Sequence, residues 1–183
     1  MHLMLERCSV RSWRASDVGS LVAEANNRKI WLNLRDRFPH PYSKADARAY
    51  IRLARAMDPE TFFAIEVDGQ AIGAIGYVMQ PDVERVSAEI GYWLGEAFWG
   101  RGIASEALRA ITLYAIDRHG FTRLFAVPFA YNTGSCRVLE KAGYVLEARL
   151  HRSAIKDGVI VDQLQYAFAA ESATSITPTR PVL

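Results

Sequence analysis

Very little in this 183-residue sequence points to a membrane, a metal or a nucleic acid. No apolar run approaches the roughly 20 residues that cross a bilayer. The first residues, Met1-His2-Leu3-Met4-Leu5-Glu6-Arg7, have neither the apolar stretch nor the small-residue cleavage site of an export signal. A cytoplasmic location is therefore expected. Only two cysteines are present, Cys8 and Cys136, and in that setting two free thiols are expected rather than a disulfide. His40, His119 and His151 are isolated and lack metal-ligand spacing, so no metal is expected. A net charge of +2 is too small a bias to suggest nucleic acid. What remains is the balance of a soluble globular protein, half hydrophobic and 23% charged, long enough to bury a core as one domain without a staple.

Residues Cys8 to Arg14 alternate apolar and polar side chains, which predicts a first strand. Ser16 or Asp17 is expected to cap a helix, and the helical pattern runs on to about Met57. Pro39 and Pro41 break it, and Ser43-x-x-Asp46 restarts it with the spacing of a capping box. Thr61 to Val67 and Ala71 to Met79 flank Asp68-Gly69, a hairpin signal, and Arg85 to Leu94 follows as a third member of an antiparallel set. Ile103 to about Arg118 has helical spacing and ends at Gly120, before a short apolar strand over Arg123 to Phe129. That strand, helix, strand succession implies a right-handed crossover and one parallel pair. Asn132 to Ala142 reads as a helix stopped by Gly143, and Tyr144 to Ser153 and Val159 to Phe168 as a closing hairpin. The expected class is α+β: a mixed, mostly antiparallel sheet with one central parallel pair, flanked by helices. The Ser/Thr/Pro-rich tail over 170–183 is expected to be disordered.

Trp99-Gly100-Arg101-Gly102-Ile103-Ala104 lies between a predicted strand and a predicted helix. Two glycines there let a ligand approach the backbone, and the first N–H groups of the helix are left unpaired, which favours an anion. A tight turn with no ligand explains a bare glycine pair equally well. A dinucleotide fingerprint would follow the first strand of a parallel unit and place an acid at the end of the next strand, whereas here antiparallel strands come first and the next strand ends Phe129-Ala130-Tyr131-Asn132. A nucleoside-triphosphate loop is excluded because no Gly-Lys-Ser/Thr follows.

Three stretches together resemble the GNAT superfamily of N-acetyltransferases, within it the branch of ribosomal-protein N-terminal alanine and serine acetyltransferases. They are Ala88-Glu89-Ile90-Gly91-Tyr92-Trp93-Leu94, Trp99 to Ala104, and Asn132-Thr133-Gly134-Ser135-Cys136-Arg137-Val138-Leu139-Glu140-Lys141-Ala142-Gly143-Tyr144. With the helical insertion and the final hairpin, the resemblance spans residues 8–168 as an acetyltransferase domain. The superfamily pattern Gln/Arg-x-x-Gly-x-Gly/Ala becomes Trp99-x-x-Gly102-x-Ala104. The resemblance implies a splayed central parallel pair, acetyl-CoA as acetyl donor, no metal, and direct attack of an amine on the thioester in a ternary complex. The acceptor it implies is a protein N-terminus or a small amine, with no direct nucleic-acid or membrane partner and a homodimer left open.

For the donor, the resemblance places Trp93 and Leu94 beside the thioester carbonyl and Trp99, Gly100, Arg101, Gly102, Ile103 and Ala104 at the diphosphate. Asn132 is assigned either to the pantetheine arm or simply to a helix cap, and Arg101, Arg137 and Lys141 to the nucleotide phosphates or to solvent. The tyrosine that many members use to protonate the thiolate is replaced by Leu139, so Ser135, the branch's serine position, becomes the candidate acid. Glu89 faces away from its strand's apolar side and is the candidate base, acting through a water, or else an ordinary paired carboxylate; Glu147 is the alternative base. Cys136 has no histidine placed to activate it as an acyl carrier. Trp31, Phe38, Tyr42 and His151 are candidates for acceptor contact, or equally for packing. A catalytically silent acyl-CoA-binding module is the remaining alternative.

Overall fold

The computed structural model describes residues 1–170, so the predicted tail lies, from 171 onward, outside the described residues. In chain order the elements are β1 (His2–Met4), β2 (Ser9–Arg11), α1 (Val18–Ala25), α2 (Arg28–Trp31), α3 (Lys44–Ala56), β3 (Phe62–Val67), β4 (Gln70–Met79), β5 (Ser87–Leu94), α4 (Ile103–His119), β6 (Arg123–Ala126), α5 (Thr133–Lys141), β7 (Val145–Lys156) and β8 (Val159–Ala169). The eight strands form one sheet in the order β1-β2-β3-β4-β5-β6-β8-β7. Every neighbouring pair is antiparallel except β5 and β6.

Two apolar clusters cover the sheet. The larger, around Phe63, Tyr77, Leu108, Ile111, Leu124 and Leu139, packs α4 and α5 onto it. The smaller, around Trp13, Leu21, Tyr42, Ile51 and Ala64, packs α1 and α3. At its edge the chain sinks a charged group: Arg11, 2% exposed, donates to both oxygens of Asp17 at 2.8 and 2.9 Å and to Glu66.

Local signals explain the elements that matched expectation. Ser43 Oγ accepts from Asp46 N at 3.2 Å while Asp46 Oδ2 accepts from Ser43 N at 2.8 Å, a reciprocal cap that starts α3. Asp68 and Gly69 both take positive φ, 50° and 78°, as a two-residue hairpin turn requires. Gly120 closes α4 at φ 68°.

Three expectations need correction. Asp17 does not cap α1, because its carboxylate is engaged by Arg11 and by the Arg14 N–H at 2.8 Å. The sheet begins earlier than Cys8, since His2–Met4 pairs with Ser9–Arg11; three residues are too few to show a period. Finally, β6 stops at Ala126 rather than Phe129. Pro128 has no N–H to contribute to a ladder, and Phe129 makes only an isolated bridge to Gln163.

Candidate active site

The short β6 decides where a ligand can enter. Parallel pairing runs only from Ser87–Glu89 against Arg123–Phe125, after which β5 continues to Leu94 with β4 as its sole ladder partner. The gap this leaves opens into a cavity of about 780 Å³. Its floor is β5 from Glu89 to Leu94, one wall is the Trp99–Ser105 turn with the start of α4, and the other is the start of α5. The segment Lys29–Arg35 roofs it, with Phe129, Tyr131 and Gln163 at the far side.

At the α4 wall, Gly100 and Gly102 have φ of 76° and 81°, so both lie in the left-handed region that a side chain resists. Gly102 is the residue that precedes the helix, and no side chain caps the free N–H groups of that first turn. Trp99 Nε1 donates to the Leu94 carbonyl at 2.7 Å, tying the turn to the end of β5. Arg7 was not foreseen here. A methyl on Gly102 would stand 3.5 Å from Arg7 Cδ and Nε, so this side chain runs beside the turn. The β1–β2 connection is held there by Glu106, whose carboxylate accepts from the N–H groups of Glu6 and Arg7 at 3.0 and 2.9 Å.

At the α5 wall, Asn132 Oδ1 accepts from Ser135 N at 3.0 Å, the helix-cap bond. Ser135 Oγ lies 2.9 Å from the hydroxyl of Tyr92, a residue to which the sequence pattern gave no role of its own. Leu139 is fully buried in the core. Burial pushes the Cys136 thiol upward, and burial with the Glu106 charge pushes Cys8 up to about 12; both cysteines are free. Neither is poised as a thiolate nucleophile.

On the floor, the half-buried Glu89 carboxylate accepts from the Arg35 guanidinium, which the roof segment supplies. Glu147 does not line the cavity and is paired with Arg123.

The fold thus brings together around one cavity Glu89, Trp93, Leu94, Trp99, Gly100, Gly102, Ile103, Ala104, Asn132, Ser135, Arg137 and Lys141. It leaves five proposed contacts outside the lining. Arg101 lies over the Phe98 ring at 5.4 Å. Tyr42, 5% exposed, stacks on Phe38 at 4.8 Å, and Phe38 meets Trp93 edge-on at 5.7 Å, so both pack α1 and α3 to the sheet. Trp31 is flanked by Arg28 at 5.4 Å and the Lys156 ammonium at 3.7 Å. His151 is exposed and pairs with Asp162 at 3.2 Å. Trp31 nevertheless shapes the site indirectly. Lys156 bonds Asp36 at 2.7 Å, Arg28 bonds Asp157 at 2.6 Å, and Tyr131 donates to the Leu32 carbonyl, so the β7–β8 tip and the loop before α5 together tie down the roof.

Among the described residues, no helix is long and apolar enough to cross a membrane and no group of three or more His, Cys, Asp or Glu side chains is placed to hold a metal.

The family described as Acetyltransferase (GNAT) domain matches residues 7–145. The ribosomal-protein-serine acetyltransferase of Escherichia coli is 31% identical over 149 residues, covering 79% of this chain and 82% of that protein. Alignments to several curated Bacillus relatives span only 44% to 59% of their length. Among solved structures, a ribosomal alpha-N-protein acetyltransferase, RimL, in complex with coenzyme A superimposes with a TM-score of 0.82 at 22% identity, over 92% of this chain and 98% of that one. RimJ of Mycobacterium smegmatis, in complex with a CoA-disulfide, gives 0.76 at 26% identity over 89% and 82%.

Proposed function

Because this chain belongs to the GNAT acetyltransferase family, we propose that it transfers an acetyl group from acetyl-CoA to the α-amine of a protein or peptide N-terminus, by direct attack in a ternary complex. The observation that carries this is the continuity of one cavity from the glycine turn at the head of α4 to the gap between β5 and β6. A diphosphate fits the first end. The backbone at Gly100 and Gly102 presents no side chain, the α4 dipole is positive there, and Arg7 stands alongside. The thioester arm runs along β5, where a backbone N–H near Trp93 or Leu94 polarises the carbonyl, a contribution of about 3–4 kcal/mol in comparable oxyanion sites. Arg137 and Lys141 on α5 serve the nucleotide end.

Glu89 takes the amine's proton through a water. An α-amine has a reference pKa near 8, against about 10.4 for lysine, so more of it is already neutral at pH 7 and a carboxylate is an adequate base. The Arg35 contact holds that carboxylate in place at the cavity. Ser135 stands at the leaving sulfur. The ribosomal-protein-serine acetyltransferase among the relatives supports an N-terminal acceptor.

A thiol-release assay over Ala- and Ser-starting peptides and small amines tests this. CoA release with the peptides is expected. Release with small amines alone would replace the acceptor, and release with none would leave an acyl-CoA-binding module.

A further inference from the structure

Tyr92 sits two residues before the end of β5, in contact with the main core, with its hydroxyl 2.9 Å from Ser135 Oγ and 3.2 Å from the Ser135 carbonyl oxygen. Both residues line the cavity where β5 and β6 part. Phenylalanine would fill nearly the same volume, so what the tyrosine adds at this partly buried position is a hydroxyl with a bonded partner. We propose that Tyr92 is a positioning residue for the departing thiolate: its phenol donates to Ser135 Oγ and so turns the serine's own hydrogen toward the thioester sulfur. The proposal rests on acetyl-CoA being the donor.

Counting protons leads to this assignment. The phenol has one hydrogen and the serine hydroxyl one. Were the serine to donate to the phenol, the phenol's own hydrogen would be the one left over, and with the Ser135 carbonyl 3.2 Å away to take it, none would be aimed at the sulfur. The Ser135 carbonyl, the longer contact, lies in the first turn of α5, where helix geometry already makes it the acceptor for the residue four positions on. Oγ is the nearer of the two acceptors and the carbonyl is already shared with the helix, so we place the phenol hydrogen on Oγ. Among the described residues Ser135 Oγ has no other hydrogen-bond partner, so its hydrogen is free to point into the cavity.

The same groups define what the pair does in the reaction. Burial pushes the Tyr92 hydroxyl well above its ordinary value; the Ser135 bond works against this, and Tyr144 and Cys136, the titratable groups facing it, add to it. The phenol thus keeps its proton throughout. As the amine nitrogen bonds the acetyl carbon, the C–S bond breaks and its electron pair stays on sulfur. Ser135 shares its hydrogen with that anion, and neither hydroxyl is deprotonated. The amine's proton leaves toward Glu89. The thiolate takes a proton from solvent on release, since a thiol titrates near 8.5. An aliphatic hydroxyl is a far weaker acid than a thiol, so the serine acts by an oriented hydrogen bond, and what orients it is the tyrosine.

The test uses free CoA, with no acceptor. Thiolate ultraviolet absorbance of the CoA complex, referenced to the desulfo-CoA complex, is followed against pH for the wild type, Tyr92→Phe, Ser135→Ala and the double variant. A charge-assisted bond of ordinary strength lowers the bound thiol's pKa by about 1–2 units relative to free CoA. Each single variant should return most of that shift, the double variant no more than either single, and desulfo-CoA affinity should stay constant across all four. In turnover, Tyr92→Phe should lower kcat roughly tenfold at an unchanged KM for acetyl-CoA. If Tyr92→Phe titrates like the wild type, or if the two shifts add, the positioning role is wrong. A wild-type complex whose thiol titrates like free CoA also refutes it, leaving the donor assignment standing. Failure of the wild type to bind CoA or desulfo-CoA would bring down both.

Discussion

Gly102 and Gly69 make a matched pair for testing the glycine turn. Their φ angles, 81° and 78°, are nearly the same, so alanine at either position carries the same backbone strain, about 1–2 kcal/mol for a left-handed residue. Neither meets a clash: Gly69 has nothing within 4 Å of an added methyl, and Gly102 has only Arg7 at 3.5 Å, an ordinary contact. Gly69→Ala and Gly102→Ala should therefore destabilise the free protein equally, by roughly 2–8 °C in Tm for a chain of this length. They should part company on acetyl-CoA. Gly69 lies in the β3–β4 turn outside the cavity, whereas Gly102 lines it at the head of α4. A methyl there stands where the diphosphate must meet the backbone. Losing one charge-assisted bond of about 1.5–3 kcal/mol raises Kd roughly 10- to 150-fold. Calorimetric titration with acetyl-CoA at a temperature where both variants are folded reads the difference directly. Equal affinity for the two variants would refute the placement of the diphosphate at this turn.

Further outcomes follow from the site and the core. Glu89→Gln should lower kcat about 100-fold while acetyl-CoA affinity is retained; an unchanged kcat would transfer the role of base elsewhere. Trp31→Ala, by freeing Lys156 and the β7–β8 tip, should raise KM for the acceptor more than KM for acetyl-CoA, and an equal rise in both would assign Trp31 to general packing. Asp17→Ala leaves the buried Arg11 with Glu66 as its remaining acid, a loss of about 1–3 kcal/mol, visible as a Tm drop of roughly 2–12 °C. Glu66 is raised by burial but lowered more by its bonds to Arg11 and the charges of Arg11 and Arg14, so its folded-state pKa lies below the ordinary 4.5. Its contribution is complete above that value and is lost as pH falls through the folded one. Melting temperature should therefore fall on acidification below about pH 4.5, and less steeply in Glu66→Gln, where an identical slope would remove Glu66 from the acid response.

Where the fold was legible, the signal was local. The Asp68-Gly69 turn, the Ser43 and Asp46 cap, the glycines around α4 and the Asn132 cap each act within a few residues, and the last two shape the cavity walls. Contacts between distant segments were not legible. Arg35 reaches Glu89 across 54 positions, and the Glu106 carboxylate holds Arg7 across 99. Tyr92 packs against the main core, and only its hydroxyl distinguishes it from a packing residue. The aromatics Phe38 and Tyr42 stayed open between two readings, because large rings in an irregular segment suit a binding surface as well as a core, and here they face the α1–α3 layer. Asp17 was drawn from its cap by a guanidinium that no spacing rule announces.

The central claim is acetyl transfer from acetyl-CoA to an N-terminal amine. Incubating the protein with acetyl-CoA and a Ser- or Ala-starting peptide, and measuring released CoA thiol together with the peptide's mass, tests it in one experiment. Thiol release matched one-for-one by a single acetyl on the peptide's α-amine is the predicted result. Acetyl-CoA that binds yet releases no thiol with any peptide would contradict it.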